Sequence, residues 1–413
     1  MGIVCAAGST SVDLVSFSPS LRARLGGLIP GAGDIAFNRD RNRSTPASKA
    51  PRGGYRPPSF RERPSHVLVV PIEGPQFPDW GPGHRNFYYE AFRSAEEQLG
   101  PSRVSYLDVP PHVRPEVWHR ELRDAVHDRQ ATHIVTHAEH DPGEPDVWTW
   151  DIAWNSLAPE WDGVLLGVAF DSAFDLVRMK SRRLARMSPN FVHVDICTPA
   201  DGMLLRDRGE VGPVTMPMSQ ESLSLIDQRL VSVTPRHDIS FIGALYPYRV
   251  QMIESLRSAG LDVAVNPHRS DVTADFAASR TDQPGWLEYM AGYAESRMTV
   301  NFSRSSAGSW EQLKTRVIEA TLAGTFLLTD DRERTRVYFE PEVEYGYFRD
   351  PQDLVEVAGQ WLNAVDTRNA GAMAAQAKAR TIIQRDFWTR IDDGLTRRGL
   401  PGTDVLSSEA PKA

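Results

Sequence analysis

The stretch that most limits this chain's fold is residues 297–331, RMTVNFSRSSAGSWEQLKTRVIEATLAGTFLLTDD. Val300 and Phe302 close a short apolar run, and residues 303–309 are mostly small and polar, as a loop requires. From about Lys314 to Ala323 the apolar positions Val317, Ile318 and Leu322, with Thr321 beside them, share one side of a helix. Gly324 then stands where a helix end needs a residue tolerant of positive φ, and Thr325 to Leu328 reads as a buried strand. Strand, loop, helix and strand in that order make a parallel unit with a helix on the sheet face, and neither a sandwich nor a bundle is built that way.

Two carboxylates in this unit, Glu311 and Glu319, flank the helix start. A helix that begins after a small-residue loop turns unpaired N–H groups and positive dipole toward whatever lies in front of it, and a diphosphate suits that position. Glu319 would then accept hydrogen bonds from a ribose diol and Glu311 from hydroxyls of an attached sugar. Lys314 and Arg316 would add positive charge beside the phosphates. A plainer reading stays open, in which both glutamates are solvated groups at a helix end.

The alternation continues along the chain. Strands are expected at 66–72, 104–107, 132–137, 164–170, 191–196 and 214–216, with helices at 87–100, 113–129 and 174–187 between them. The pattern loosens around Gln220 to His237, and a fresh strand, DISFIGAL, opens a second series ending with a helix through Ala372 to Gln384. The division is therefore a leader at 1–64, a first domain at 65–232, a second at 233–395 and a loose tail at 396–413. The leader holds ten Lys/Arg against four Asp/Glu and little periodicity, and reads as a disordered basic segment touching a membrane surface peripherally at most. With a net charge of −8 the chain is not expected to bind nucleic acid. Two cysteines, Cys5 and Cys197, supply neither a disulfide framework nor a thiolate metal site, and the expected compartment is cytoplasmic.

Other candidate positions follow strands, where α/β sheets admit ligands. They are Gly81, Gly83, His84 and Arg85 after the first strand, His137 after the third, Asp171 and Ser172 after the fourth, and Gly243 with Arg249 at the start of the second domain. Arg249 would reach a phosphate, and Gly243 would let backbone approach a ligand. His133, His137 and His140 lie among acids, but on a strand a four-residue spacing holds side chains apart and the pattern matches no familiar ligand set. No metal and no cofactor are expected.

The run from Leu313 to Asp330 resembles the donor-binding half of retaining GT-B glycosyltransferases, in particular their spore-maturation-protein-like branch. The matching residues are Leu313, Lys314, Arg316, Val317, Glu319, Ala320, Ala323, Gly324, Phe326, Leu327, Leu328, Thr329 and Asp330, and FIGALYPYR from Phe241 to Arg249 matches the opening of that donor domain. Lys314 and Thr315 stand where the broader retaining pattern has Gly and an apolar residue. The resemblance implies an α/β fold of the GT-B kind, two Rossmann-like domains facing across a cleft. It further implies a nucleotide diphosphate sugar as donor, an unknown acceptor, and a retaining, metal-independent transfer. Donor contacts would come from Gly243, Arg249, Ser309, Lys314, Thr315, Arg316 and Glu319, with His137 and Glu311 at the reacting sugar. The alternative is a non-catalytic sugar-nucleotide-binding or coat-associated protein on the same shell.

A chain lacking residues 1–60 is expected to melt within about 2 °C of the full chain, the shift that roughly 1 kcal/mol produces in domains of this size. A larger fall in Tm would show that the leader belongs to a core.

Overall fold

The structure, a computed structural model, describes residues 59, 63–70, 87–107, 115–138, 157, 159–170, 179, 181–182, 184–185, 190–196, 210–266, 286–304 and 311–406. The leader apart from residues 59, 63 and 64, the glycine loop at 81–85, His140, Asp171, Ser172 and Ser309 lie outside them. No described helix is long and apolar enough to cross a membrane.

The first domain is a six-stranded sheet of β1 (Val67–Val70), β2 (Val104–Tyr106), β3 (His133–His137), β4 (Val164–Ala169), β5 (Phe191–Asp195) and β6 (Glu210–Val211). Its spatial order is β2-β1-β3-β4-β5-β6, and every pairing is parallel. The strands are buried on both faces, as parallel strands under helices must be. Helices α1 (Phe87–Leu99) and α2 (Pro115–Asp128) supply apolar residues to opposite faces.

The second sheet contains β7 (His237–Phe241), β8 (Val263–Val265), β9 (Ser296–Asn301), β10 (Phe326–Thr329) and β11 (Tyr345–Tyr347), ordered β11-β10-β9-β7-β8 and also all parallel. Its helices are α3 (Gln220–Leu230), α4 (Pro247–Ser258), α5 (Trp286–Ala294), α6 (Arg316–Leu322), α7 (Arg332–Thr335) and α8 (Pro351–Asn363). In each sheet the strand order reverses beside the first strand, between β1 and β3 and again between β7 and β9. The loops leaving those strands diverge there and open a crevice at the sheet's carboxyl edge.

Three expectations need correction. A strand at 214–216 is absent; the edge strand is β6, because Pro213 has no N–H to offer a ladder. Residues 220–230 form α3, whose Leu223 and Ile226 enter the second core. Its N-terminus is capped from the first domain: Glu90 of α1 accepts from Ser219 N–H at 2.8 Å and from the Ser219 and Ser222 hydroxyls, and Glu97 accepts from Gln220 N–H. The third concerns the last helix and the tail. Helix α9 runs Val365–Arg397, and residues 401–405 dock on the first domain. Ser65 donates to the Thr403 carbonyl at 2.6 Å, the Pro401 carbonyl meets the His133 ring at 3.0 Å, and Val405 is fully buried.

Helix α9 therefore joins both domains. Its first half packs Ala375, Ala379 and Ile383 into the second core, while Phe387, Trp388, Ile391 and Leu395 enter the first. Trp388 is 1% exposed and donates its Nε1–H to Ser94 of α1 at 3.0 Å. Trp388→Ala is expected to destabilise the first domain by about 3–5 kcal/mol in urea unfolding. A loss below about 1 kcal/mol would show that the helix only lies against that core.

Candidate functional site

The loops after β7 and β9 border the second sheet's reversal point, and they carry most of the residues singled out above. Gly243, the second residue after β7, has φ +146, and a Cβ there would run into the Arg316 guanidinium. The glycine is thus explained by close approach of a side chain as well as by backbone conformation. Arg249, near the start of α4, is buried. It donates through Nε to the Tyr248 hydroxyl, through Nη1 to the Ala244 carbonyl at 3.0 Å and through Nη2 to the Arg304 carbonyl at 2.8 Å. The Tyr248 hydroxyl donates to that same Arg304 carbonyl at 2.7 Å. Arg249 and Tyr248 therefore tie the loop after β7 to the loop after β9. A guanidinium has five N–H groups, and three are used in these contacts, so the residue fixes the crevice first and faces a ligand second.

The loop after β9 is closed at its base. Arg304 and Glu311 form an antiparallel bridge, Gln312 N–H donates to the Ser303 carbonyl, and Ser303 N–H donates to Asp330 Oδ1 at 2.7 Å. Burial pushes the Asp330 carboxyl up to about 6, against the favourable contact from Ser303. Glu311 is exposed and lies 4.0 Å from the Arg334 guanidinium of α7. Lys314 is partly buried and its ammonium donates to the Gln312 amide.

Glu319 is the buried member of the pair, 6% exposed at the end of the first turn of α6. Its Oε2 accepts from the Tyr289 hydroxyl of α5 at 2.7 Å, and Tyr289 shares a 2.8 Å hydrogen bond with Tyr293. Burial raises the carboxyl's pKa, while Tyr289, Arg316, Thr315 and Tyr293 pull it back. Arg316 donates to Asn301 Oδ1 of β9 at 3.2 Å and lies over the Phe241 ring. Burial opposes its charge, but Tyr293, Tyr289 and Glu319 offset that, and its pKa stands above the ordinary value. Glu319, Leu313, Lys314, Thr315 and Ile318 face Ile196 and residues 214–216 of the first domain across a crevice with room for about one water molecule.

The start of α6 offers fewer amides than a loop-to-helix junction suggests. The N–H groups of Val317, Ile318 and Glu319 already bond to the Lys314 and Thr315 carbonyls. With two turns of helix and these bonds made, side chains carry more of any anion contact than backbone does.

His137 ends β3 beside the first sheet's reversal point, but its imidazole is only 5% exposed. Nδ1 shares a 2.7 Å hydrogen bond with the Tyr88 hydroxyl, and the ring stacks on Phe170. The ring is packed into the sheet edge rather than projecting into an open cleft. His133 is separately engaged with Thr132 and Pro401, and burial lowers its pKa to about 4. Sequence reasoning missed Tyr289 and Tyr293. Their signal was two hydroxylated aromatics one helical turn apart on the segment before β9, which reads as core until the buried glutamate partner is known.

Residues 249–393, from α4 into α9, match the family model described as glycosyl transferase-like. The fold is GT-B. Among solved structures the chain is similar to sucrose-phosphate synthase from Thermosynechococcus elongatus at 14% identity and a TM-score of 0.50, covering 81% of this chain and 98% of that one. It is also similar to HepE from Anabaena in complex with UDP-glucose, at 9% identity and a TM-score of 0.48 over 81% and 99% of the two chains. No curated protein matches the chain. The glycosyl transferase-like match spans the loop-closing Arg249 and the whole Glu311–Glu319 unit.

Because Asp330 binds its proton more tightly folded (pKa about 6) than unfolded (ordinary value 3.8), the native state carries a penalty at neutral pH. That penalty is relieved as pH falls through about 6. Asp330→Asn is expected to flatten the stability-versus-pH curve between about pH 4 and 6. An unchanged slope in that window would place the titrating group elsewhere.

Proposed function

We propose that the chain is a glycosyltransferase that takes a sugar from a nucleoside diphosphate donor held by the second domain and passes it to an acceptor on the first. The observation that carries this reading is Glu319, a carboxylate held at the interdomain crevice by Tyr289 within the glycosyl transferase-like match. A buried carboxylate with fixed orientation is suited to two adjacent hydroxyls such as a ribose diol, because its partner is already in place before ligand arrives.

In the reaction the bond from the anomeric carbon to the diphosphate oxygen breaks, and the diphosphate leaves with the electron pair. The acceptor hydroxyl oxygen bonds to the anomeric carbon and passes its proton to the departing diphosphate oxygen. Lys314, the remaining N–H groups of Arg249, and Arg316 with Thr315 beside it meet the developing negative charge, and Ser309 is assigned to the donor with them. Glu311 binds sugar hydroxyls, and exclusion of water from the crevice protects the oxocarbenium-like transition state. His137, held by Tyr88 and stacked on Phe170, braces the edge of the first sheet and is given no contact with the sugar. The proposed outcome is retention at the anomeric carbon, with no requirement for added Mg²⁺ or Mn²⁺, in the cytoplasm. Proton NMR of the product reads the stereochemistry directly.

A thermal-shift panel of UDP, GDP, dTDP and ADP sugars identifies the donor, since ligand at about 100 times its Kd stabilises by roughly 2.7 kcal/mol. Release of free nucleoside diphosphate in the presence of acceptor separates an enzyme from a protein that only binds sugar nucleotides. Glu319→Ala is expected to weaken binding of the free nucleoside diphosphate about ten- to a hundredfold by calorimetry, the worth of a hydrogen bond to a charged group. Glu311→Gln should leave that affinity nearly unchanged while cutting turnover. Equal loss in both variants, or none in either, contradicts the two roles.

A further inference from the structure

A second polar cluster lies in the first domain, on residues that the transferase reading does not use. His193 and Asp195 sit two apart on β5, so their side chains leave the same face of the sheet. Glu210 of β6 is the register partner of His193 and joins them on that face. The alternate residues Val192, Val194 and Val211 enter the core beneath α9 on the other face. His193 and Asp195 are fully buried and Glu210 is 7% exposed.

Neither ring nitrogen of His193 has a hydrogen-bond partner. Its Nε2 lies 3.9 Å from Asp195 Oδ2 and 3.9 Å from Glu210 Oε1. A proton shared with either carboxylate would draw that oxygen to about 2.8 Å. Equal, longer separations instead describe atoms arranged around a common centre. Three ligands at about 2.1 Å from a tetrahedral ion stand roughly 3.4 Å apart. One ligand atom from each residue falls within 4.8 Å of the others, so small side-chain rotations bring all three to that spacing.

We propose that His193, Asp195 and Glu210 form a binding site for a first-row divalent cation of the Zn²⁺ class. One imidazole nitrogen and two carboxylate oxygens suit an ion of borderline softness, and three protein ligands leave a fourth position for water. The site is structural. It pins β6, a two-residue edge strand with little ladder of its own, to β5, and it neutralises charge in a buried setting. It takes no part in the departure of the diphosphate, so its loss and the failure of the transferase reading are separate results.

The test is binding of Zn²⁺ alone to the full chain after stripping with a chelator and dialysis, read by calorimetry and by Tm, with no donor present. The proposal expects about one tight equivalent and a rise in Tm for the unaltered protein. His193→Gln and Glu210→Gln should each lose that equivalent, while circular dichroism confirms that they fold. Co²⁺ bound to the unaltered protein should give the intense visible bands of a low-coordinate site, a readout that needs no variant. Absence of a tight equivalent, binding unchanged in both folded variants, or Co²⁺ spectra of a hexa-aqua type would each overturn it.

Discussion

A carboxylate held out of water on a two-turn helix is the constraint around which the second domain is arranged. Burying Glu319 without partners would cost several kcal/mol, so the fold must bring donors and positive charge to it. Tyr289 supplies the donor from α5, and Arg316, one turn earlier on α6, supplies charge. Arg316 reaches its place only because Gly243 has no side chain there, and it is steadied by Asn301 and the Phe241 ring. The ends of β7 and β9 and two helices are thereby locked to one another through two side chains of opposite sign. A site prepared in this way loses little ordering entropy when ligand arrives.

The same logic of buried carboxylates couples the domains. Glu90 gives its oxygens to the start of α3, and removing it would leave those hydroxyls and amides unsatisfied beneath both cores. Helix α9 adds a covalent strut, its early turns in one core and its later turns in the other. With both links in place, the crevice between Glu319 and residues 214–216 is too narrow for a sugar nucleotide. Admission of a donor there requires the domains to part, and bending is expected near residues 216–219 and 383–386, where Met218 and Thr215 bond to α9.

Much of this was legible in the chain because it depends on local spacing. The strand–loop–helix–strand order of residues 297–331 follows from apolar periodicity, and Gly324 does adopt φ +78 at the end of α6. What escaped depends on partners distant in sequence. Helix α3 looks weakly apolar because its N-terminus is stabilised by Glu90 and Glu97, more than a hundred residues away. The last helix reads as a shorter one through Ala372 to Gln384 because its buried face changes cores midway, and Val405 looks like tail until His133 and Ser65 are seen to receive that segment. Tyr289 is ambiguous alone, and His137 could be placed at a sheet edge but not seen to be covered by Tyr88 and Phe170. His193 and Asp195 were not singled out in the sequence, and Glu210 joins them only through sheet register.

In the proposed function the reversal point of the second sheet holds the nucleoside diphosphate. A crystal structure of the full chain with the nucleoside diphosphate of the donor selected by thermal shift tests it most directly. The diphosphate is expected between the loops after β7 and β9, beside Lys314 and Arg249, with both ribose hydroxyls within about 3 Å of the Glu319 carboxylate. A nucleotide bound elsewhere, or bound here with Glu319 still turned wholly to Tyr289, would contradict it.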